Sequence, residues 1–428
     1  MISRRGAVAG AAAAALARPA LGQSSLRMLT DLARRAAIYA APIYETYRRR
    51  WRETVDPDNP GLLALNKLGH AIAPSATAPD TLESSAWLDL SREPMFLMVR
   101  DMGERSYDFA VVDMFGDTID HVSRRLYGGR PPPHVLFGPS WPNPPPSGVR
   151  AIQATTNLVR LVGRIAVDGA ADLAAARAVQ ARVLLETPAA RNERRILETQ
   201  ELMPAGVAIT EEPVAGWPEL RRDDPWDRFV VAARVLGEGP VPERDAALVA
   251  EFAALKLRPR RRFDLLGFSP VERAAMRQGI DSARAEIREG AKRSARQVGA
   301  WHYPPAHPGD FGDDRLQRAV VARTDPFMPE TAESITLRAS SDDNGAPLDR
   351  ARRYALRFTT DGPPQTRAFW SVSTDGRLIG GLRRDEATAG VVAPGGPAGL
   401  SAIFLHICQP GGTVLDGTWR PPNIVLVD

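Results

Sequence analysis

Asp80-Thr-Leu-Glu-Ser-Ser-Ala-Trp-Leu-Asp-Leu-Ser-Arg-Glu-Pro94 decides the fold class of this chain. Leu82, Ser84, Ala86, Leu88 and Leu90 share one side of an extended backbone, and Glu83, Ser85, Trp87, Asp89 and Ser91 share the other. Alternation of period two marks a strand with one buried face. The predicted strand therefore has an apolar face for a core and a polar face that carries a tryptophan. Polar strand faces in antiparallel sheets are commonly solvated.

β signals continue outward from this stretch to about Ile165. Pro94–Val99 is a short apolar run suited to a buried strand, Asp101–Glu104 turns the chain, and Tyr107, Phe109, Val111, Asp113 and Phe115 alternate on the return. A proline-rich loop holding Pro131–Pro133 and Pro144–Pro146 follows, then short runs at Val149–Gln153 and Leu158–Val162. Several short strands separated by turns predict a β-sandwich.

Upstream, residues 24–53 have helical spacing, with Leu26, Leu29, Leu32, Ala36 and Tyr39 at threes and fours. Pro42 predicts a break into two helices. Residues 168–300 return to helical period. There Ser269-Pro-Val-Glu272 is a capping box with proline at the first helical position, opening a helix to about Gln297. β signals resume near Ser334. Asp343-Asn-Gly345 sits between Ile335–Ala339 and Tyr354–Phe358, and Asp375-Gly376 between Phe369–Val372 and Leu378–Ile379, both as hairpin turns. Ile403–Ile407 and Ile424–Val427 end the pattern. The expected fold class is mainly β with a helical insert, an α+β multidomain chain. Its expected segments are a leader (1–22), an N-terminal helical segment (23–70), the sandwich (71–167), a helical region (168–330) and a C-terminal β domain (331–428).

The leader has the parts of an export signal: Ser3-Arg4-Arg5, an apolar run over Ala7–Ala17, and a small-residue end at Ala20-Leu-Gly22. The paired arginines suggest twin-arginine export, although an ordinary signal can begin this way. The mature chain is then expected in the periplasm or outside the cell. No later run reaches the roughly 18 apolar residues a spanning helix needs. The formal charge of +4 falls to +1 once Arg4, Arg5 and Arg18 leave with the leader. Acids and bases are interspersed, so nucleic acid is not an expected partner. Only Lys67, Lys256 and Lys292 are lysines among 55 basic residues, a bias that a GC-rich genome produces by itself. Cys408, the single cysteine, excludes an intramolecular disulfide and a cysteine-built metal centre. It reads as a core residue.

Five residues are candidates for a ligand site: His70, Asp80, Glu83, Trp87 and Asp113. Glu83, Asp89 and Asp113 are strand carboxylates and Asp80 begins the first strand; a pair of them facing one cleft could serve as acid and base, as glycoside hydrolysis requires, with Glu83 or Asp113 the expected acid/base, or all could simply face solvent. Trp87 offers a stacking platform for a sugar, or packs beneath the helical insert. His302-Tyr-Pro-Pro-Ala-His307 with Asp310, Asp313 and Asp314 has metal-ligand types but no recognised spacing, so no metal is expected. Ser84, Ser85 and Ser371 lack a nucleophile-elbow context. No dinucleotide fingerprint or phosphate loop occurs, so no cofactor is expected.

Asn66–His70, Pro79–Pro94, Thr156–Gly169 and Phe311–Ala319, with Asp343–Leu348, Arg353–Phe358, Ala368–Ser371 and Leu415–Trp419, together resemble the bacterial exported tandem family of DUF1254 followed by DUF1214. The resemblance runs over most of residues 40–425. It implies an Ig-like sandwich, a helical insert and a C-terminal jelly roll. Two departures stand out. Glu83 occupies the position where that family usually has tyrosine, and Gly380–Gly399 is shorter than the family's segment. The expected function is binding of a small molecule or saccharide between the two β domains. The alternatives are a periplasmic hydrolase using strand carboxylates and a non-catalytic surface protein; homo-oligomerisation is left open.

Overall fold

The computed structural model describes residues 22–383, 391–392 and 402–427, except 57, 60, 61, 200–219, 222, 295, 350, 351 and 375. The arginine pair of the leader lies outside these residues, as does most of Gly380–Gly399.

The strand predicted from Asp80–Pro94 forms as β2 (Thr81–Asp89). It lies inside an antiparallel sheet with β1 (Gly69–His70), β8 (Leu158–Ala166), β4 (Tyr107–Val112) and β5 (Thr118–Ser123), in the order β1-β2-β8-β4-β5. A second sheet has the order β7-β6-β3-β9, from Arg150–Gln153, His134–Phe137, Met95–Met98 and Leu184–Glu186. Ala86, Leu88, Phe109, Val111, Leu161 and Ile165 of the first sheet pack on Met95, Leu97, Leu136 and Ile152 of the second, making the sandwich core. β9 lies beyond residue 167, so the sandwich takes a strand from the stretch expected to be helical. Short helices α2 (Arg124–Tyr127), α3 (Gly169–Gln180) and α4 (Pro188–Thr199) flank the sandwich sequence.

The outer face of the first sheet is half covered. Trp87, Ala110, Val112, Leu158 and Val162 share a core with helix α1 (Gln23–Thr54) and with α5 (Asp227–Val235), α6 (Glu243–Glu251), α7 (Pro270–Arg293) and α8 (Arg315–Thr324). The predicted break at Pro42 is absent, and α1 runs through it. Proline removes one backbone hydrogen bond, but Tyr39 and Ile43 on either side are buried in this core, and their packing keeps the axis continuous. α1 and α7 touch closely: a Cβ at Gly279 would stand 2.3 Å from the Thr30 carbonyl oxygen. The predicted capping box of α7 is present, with Ser269 and Glu272 each accepting the other's backbone N–H.

The C-terminal region is also β. A six-stranded sheet has the order β10-β11-β12-β17-β14-β15, and a three-stranded sheet has the order β16-β13-β18. The larger sheet comprises Gln297–Val298, Trp301–His302, Ser334–Ala339, Ile403–Pro410, Thr366–Thr374 and Arg377–Arg383. The smaller comprises Val391–Val392, Arg353–Arg357 and Asn423–Val427, with α9 (Gly412–Leu415) between β17 and β18. Leu337, Trp370, Leu405 and Ile407 face Tyr354, Leu356 and Ile424 across the core. No closed barrel forms among the described residues. β14 pairs with β15 as expected, Thr374 standing opposite Arg377 and Gly376 at φ +84°, while Asp375 lies outside the described residues. The Asn344-Gly345 turn does not join a hairpin: β12 and β13 fall in different sheets, and the turn is closed locally by Asp342. No described helix is long and apolar enough to cross a membrane.

Candidate functional site

Strand register places two polar rungs at the junction of the β domains. On the sandwich, Glu83 pairs with Arg164, Arg164 with Asp108, and Asp108 with Ser123, so these four side chains stand on the same face of four adjacent strands. On the larger C-terminal sheet, Thr336 pairs with His406 and His406 with Ser371. The alternation that buries Leu405 and Ile407 turns Phe404, His406 and Cys408 toward the sandwich. Asp80, at the entry to β2, stands between the rungs. It is buried, and its Oδ2 accepts from Ser371 Oγ at 2.5 Å and pairs with His406 Nδ1 at 2.6 Å. Thr81 Oγ1 donates to its other oxygen at 3.1 Å. Burial works against the charge of Asp80, but the His406 imidazole and the two hydroxyls outweigh it and hold the carboxyl at about 2.

A cleft of about 570 Å³ opens beside this contact, lined from both β domains. Its walls include His70, Asp80, Glu83 and Arg164 from the sandwich and Thr336, Ser373, Phe404 and His406 from the C-terminal sheet. Glu83 is exposed into it. His70 lies at the sheet edge, with its Nδ1 3.0 Å from Ser84 Oγ. Three of the five residues singled out from sequence, His70, Asp80 and Glu83, therefore meet at one cleft.

Trp87 and Asp113 do not join them. Trp87 is fully buried beneath α1; its Nε1 donates to Glu53 Oε2 at 2.8 Å, and Phe327 meets it edge-on at 5.6 Å. The Arg160 guanidinium lies 5.0 Å from its ring centre and binds the same Glu53 carboxylate at 2.5 Å. Packing under the helices is the reading that holds. Asp113 is not on a strand, because β4 stops at Val112. The Asp113 carboxylate closes the following turn by accepting from the Phe115 and Asp117 backbone N–H groups at 2.8 and 3.0 Å. Burial and then the nearby Asp117 charge push it up to about 7. Glu83 lines the cleft and Asp113 does not, so the two carboxylates do not face each other across it.

A second ionic group locks the junction. His121 Nδ1 meets Asp108 Oδ1 at 2.7 Å, and its Nε2 lies 3.4 Å from Glu330. Glu333, also buried, accepts from Ser123 Oγ at 2.9 Å and from Arg125 Nε at 2.6 Å. Burial disfavours the His121 charge, but Asp108 and Glu330 outweigh it and push the imidazole up to about 10. Asp108, His121 and Glu333 bring ligand atoms within 4.8 Å of one another, yet the positive charge a cation would supply comes from Arg125 and Arg164, the latter 3.7 Å from Asp108. The loop of His302 and His307 holds no such group among the described residues, and Asp314 is engaged in capping α8. Cys408 faces the junction half-buried, and burial among carboxylates pushes its thiol up, away from nucleophilic use.

Sequence reading missed His406 and did not connect Ser371 to a site. Their link to Asp80 spans 326 and 291 residues, beyond any local spacing. The signal available was the alternation in Ile403–Ile407, which leaves one imidazole on the face opposite the core.

Residues 71–187 match a protein family of unknown function, DUF1254, and residues 333–377 match a second family of unknown function, DUF1214. The chain carries the DUF1254–DUF1214 tandem. Asp80 and Glu83 lie in the DUF1254 part and Ser371 in the DUF1214 part, so the cleft opens where the two meet. The solved VPA0106 protein from Vibrio parahaemolyticus superposes with a TM-score of 0.69 over 94% of this chain and all of its own, at 19% identity, which shows a shared fold. A putative uncharacterized protein from Burkholderia cenocepacia aligns over 94% of this chain and 95% of its own at 9% identity, with a TM-score of 0.37. No curated protein matches the tandem chain.

Proposed function

We propose that this protein binds a small hydroxylated molecule, a saccharide being the best fit, in the cleft between its two β domains. The observation that carries this reading is the cleft itself, about 570 Å³ and walled by hydroxyls, a carboxylate and an aromatic ring from both domains. Such a volume suits a drug-sized ligand, and domain junctions are frequent binding sites. Glu83 and the hydroxyls of Ser75, Thr77, Thr336 and Ser373 offer hydrogen bonds to sugar hydroxyls, and Phe404 offers a face for a sugar ring. The leader at residues 1–22 supports action in the periplasm or outside the cell. The test is a thermal-shift and native mass spectrometry screen over mono- and disaccharides. At least one sugar is expected to raise the melting temperature of the wild type, and Glu83→Ala is expected to abolish that shift. A screen without a hit, or a hit unaffected by Glu83→Ala, overturns the reading.

A further inference from the structure

The Asp80–His406 contact has the geometry of a base held ready for use. Asp80 is ionised, so it accepts the Nδ1–H of His406, and that bond fixes the tautomer whose Nε2 carries the lone pair. Nε2 has no hydrogen-bond partner among the described residues, and His406 lines the cleft. Ser371 is not placed as a nucleophile, because its hydroxyl shares Asp80 Oδ2 with the imidazole and donates to the carboxylate. Arg164 also lines the cleft, but its charge is committed to the junction: Nη1 is buried 3.7 Å from Asp108 Oδ2, and Nη2 donates to the Phe327 carbonyl at 2.8 Å. Base and cleft therefore converge where a bound molecule would lie.

We propose that His406 is the general base of a hydrolytic site for small carboxylic esters, with Asp80 as its positioning residue. The inference rests on the binding reading above and adds an acyl ester on the bound molecule. Nε2 takes a proton from a water molecule as the water oxygen bonds to the ester carbonyl carbon, and the carbonyl π pair moves onto its oxygen. The C=O bond then re-forms, the bond to the alcohol oxygen breaks, and the imidazolium returns its proton to that oxygen. Products are the acid and the alcohol, and no oxidant or second substrate is consumed.

The probe is p-nitrophenyl acetate with the purified full chain, assayed from pH 5 to 9. His406→Gln is expected to lower the rate at least 100-fold, within the range of a lost general base. The exposed His307 lies elsewhere in the chain, and His307→Gln is expected to leave the rate unchanged. Asp80→Asn is expected to lower kcat with KM unchanged and with the Glu83-dependent sugar shift intact, which loss of packing alone does not do. If Asp80→Asn fails to fold, Ser371→Ala, which leaves the Asp80–His406 bond in place, is expected to keep the rate within threefold of wild type, and a 100-fold loss there would make Ser371 the reacting group and overturn the proposal. A His406→Gln rate within threefold of wild type, or a wild-type rate no higher than the uncatalysed one, overturns the proposal. Either result alongside an intact Glu83-dependent sugar shift removes the catalytic role and leaves the binding reading standing.

Discussion

The two ends of β2 carry the same alternation and meet different neighbours. At the Trp87 end the outer face is sealed by α1 and Phe327, and a large aromatic with two charged partners becomes part of a core. At the Asp80–Glu83 end the same face meets the C-terminal sheet and stops short of closing, leaving the cleft. The difference teaches that strand pattern fixes which side a residue occupies, while the element laid over that side decides whether it supports or acts.

The strongest way to break this contrast is Trp87→Ala. Truncating a fully buried tryptophan costs about 3–5 kcal/mol, and here it also strands the Glu53–Arg160 pair. Urea denaturation should show that loss; a change under about 1 kcal/mol, the size usual for a surface site, would place Trp87 outside any core. Asp80→Asn comes next, with an expected loss of about 2 kcal/mol from weakened charge-assisted bonds. Its pH signature sharpens the point. The folded carboxyl sits at about 2 against an ordinary 3.8, so its contribution is complete above pH 3.8 and drains away as pH falls toward 2. The variant should lose that part of the acid-side slope in a denaturation series.

His121 has the opposite sign. Its folded imidazole sits at about 10 against an ordinary 6.5, so the stabilisation is complete below pH 6.5 and is lost as pH rises toward 10. Stability of the wild type should decline over that window, and His121→Gln should flatten the decline. The smallest effect is expected at Glu83: its side chain is exposed, so Glu83→Ala should change stability by no more than about 0.5 kcal/mol while removing ligand response. A large destabilisation there would erase the distinction between the two ends of the strand.

Local chemistry was readable from the residues. The strand alternation within Asp80–Pro94, the capping box at Ser269–Glu272 and the pairing of β14 with β15 all form as expected, since each depends on neighbours within a few positions. What failed depended on distant cover. Pro42 reads as a break because its lost hydrogen bond is local, whereas the core that keeps α1 continuous comes from α5, α7 and α8. Asp113 reads as a strand residue because the alternation continues past it, whereas its carboxylate binds the backbone ahead and ends the strand. Part of the site was visible: Asp80 and Glu83 lie in the Asp80–Pro94 stretch and His70 just upstream in Asn66–His70, while Ser371 and His406 reach Asp80 only through the tertiary fold.

Asp80 has a consequence for how the gene can be cut. Its carboxylate is shielded by side chains encoded almost three hundred codons or more downstream, so a fragment ending after the first module would strip it of His406 and Ser371 and leave only Thr81 as a donor. The two modules bear separate family labels, yet neither should travel alone. They are expected to be inherited, expressed and melted as one cooperative unit, with a seam in the reading frame that has no counterpart in the energetics.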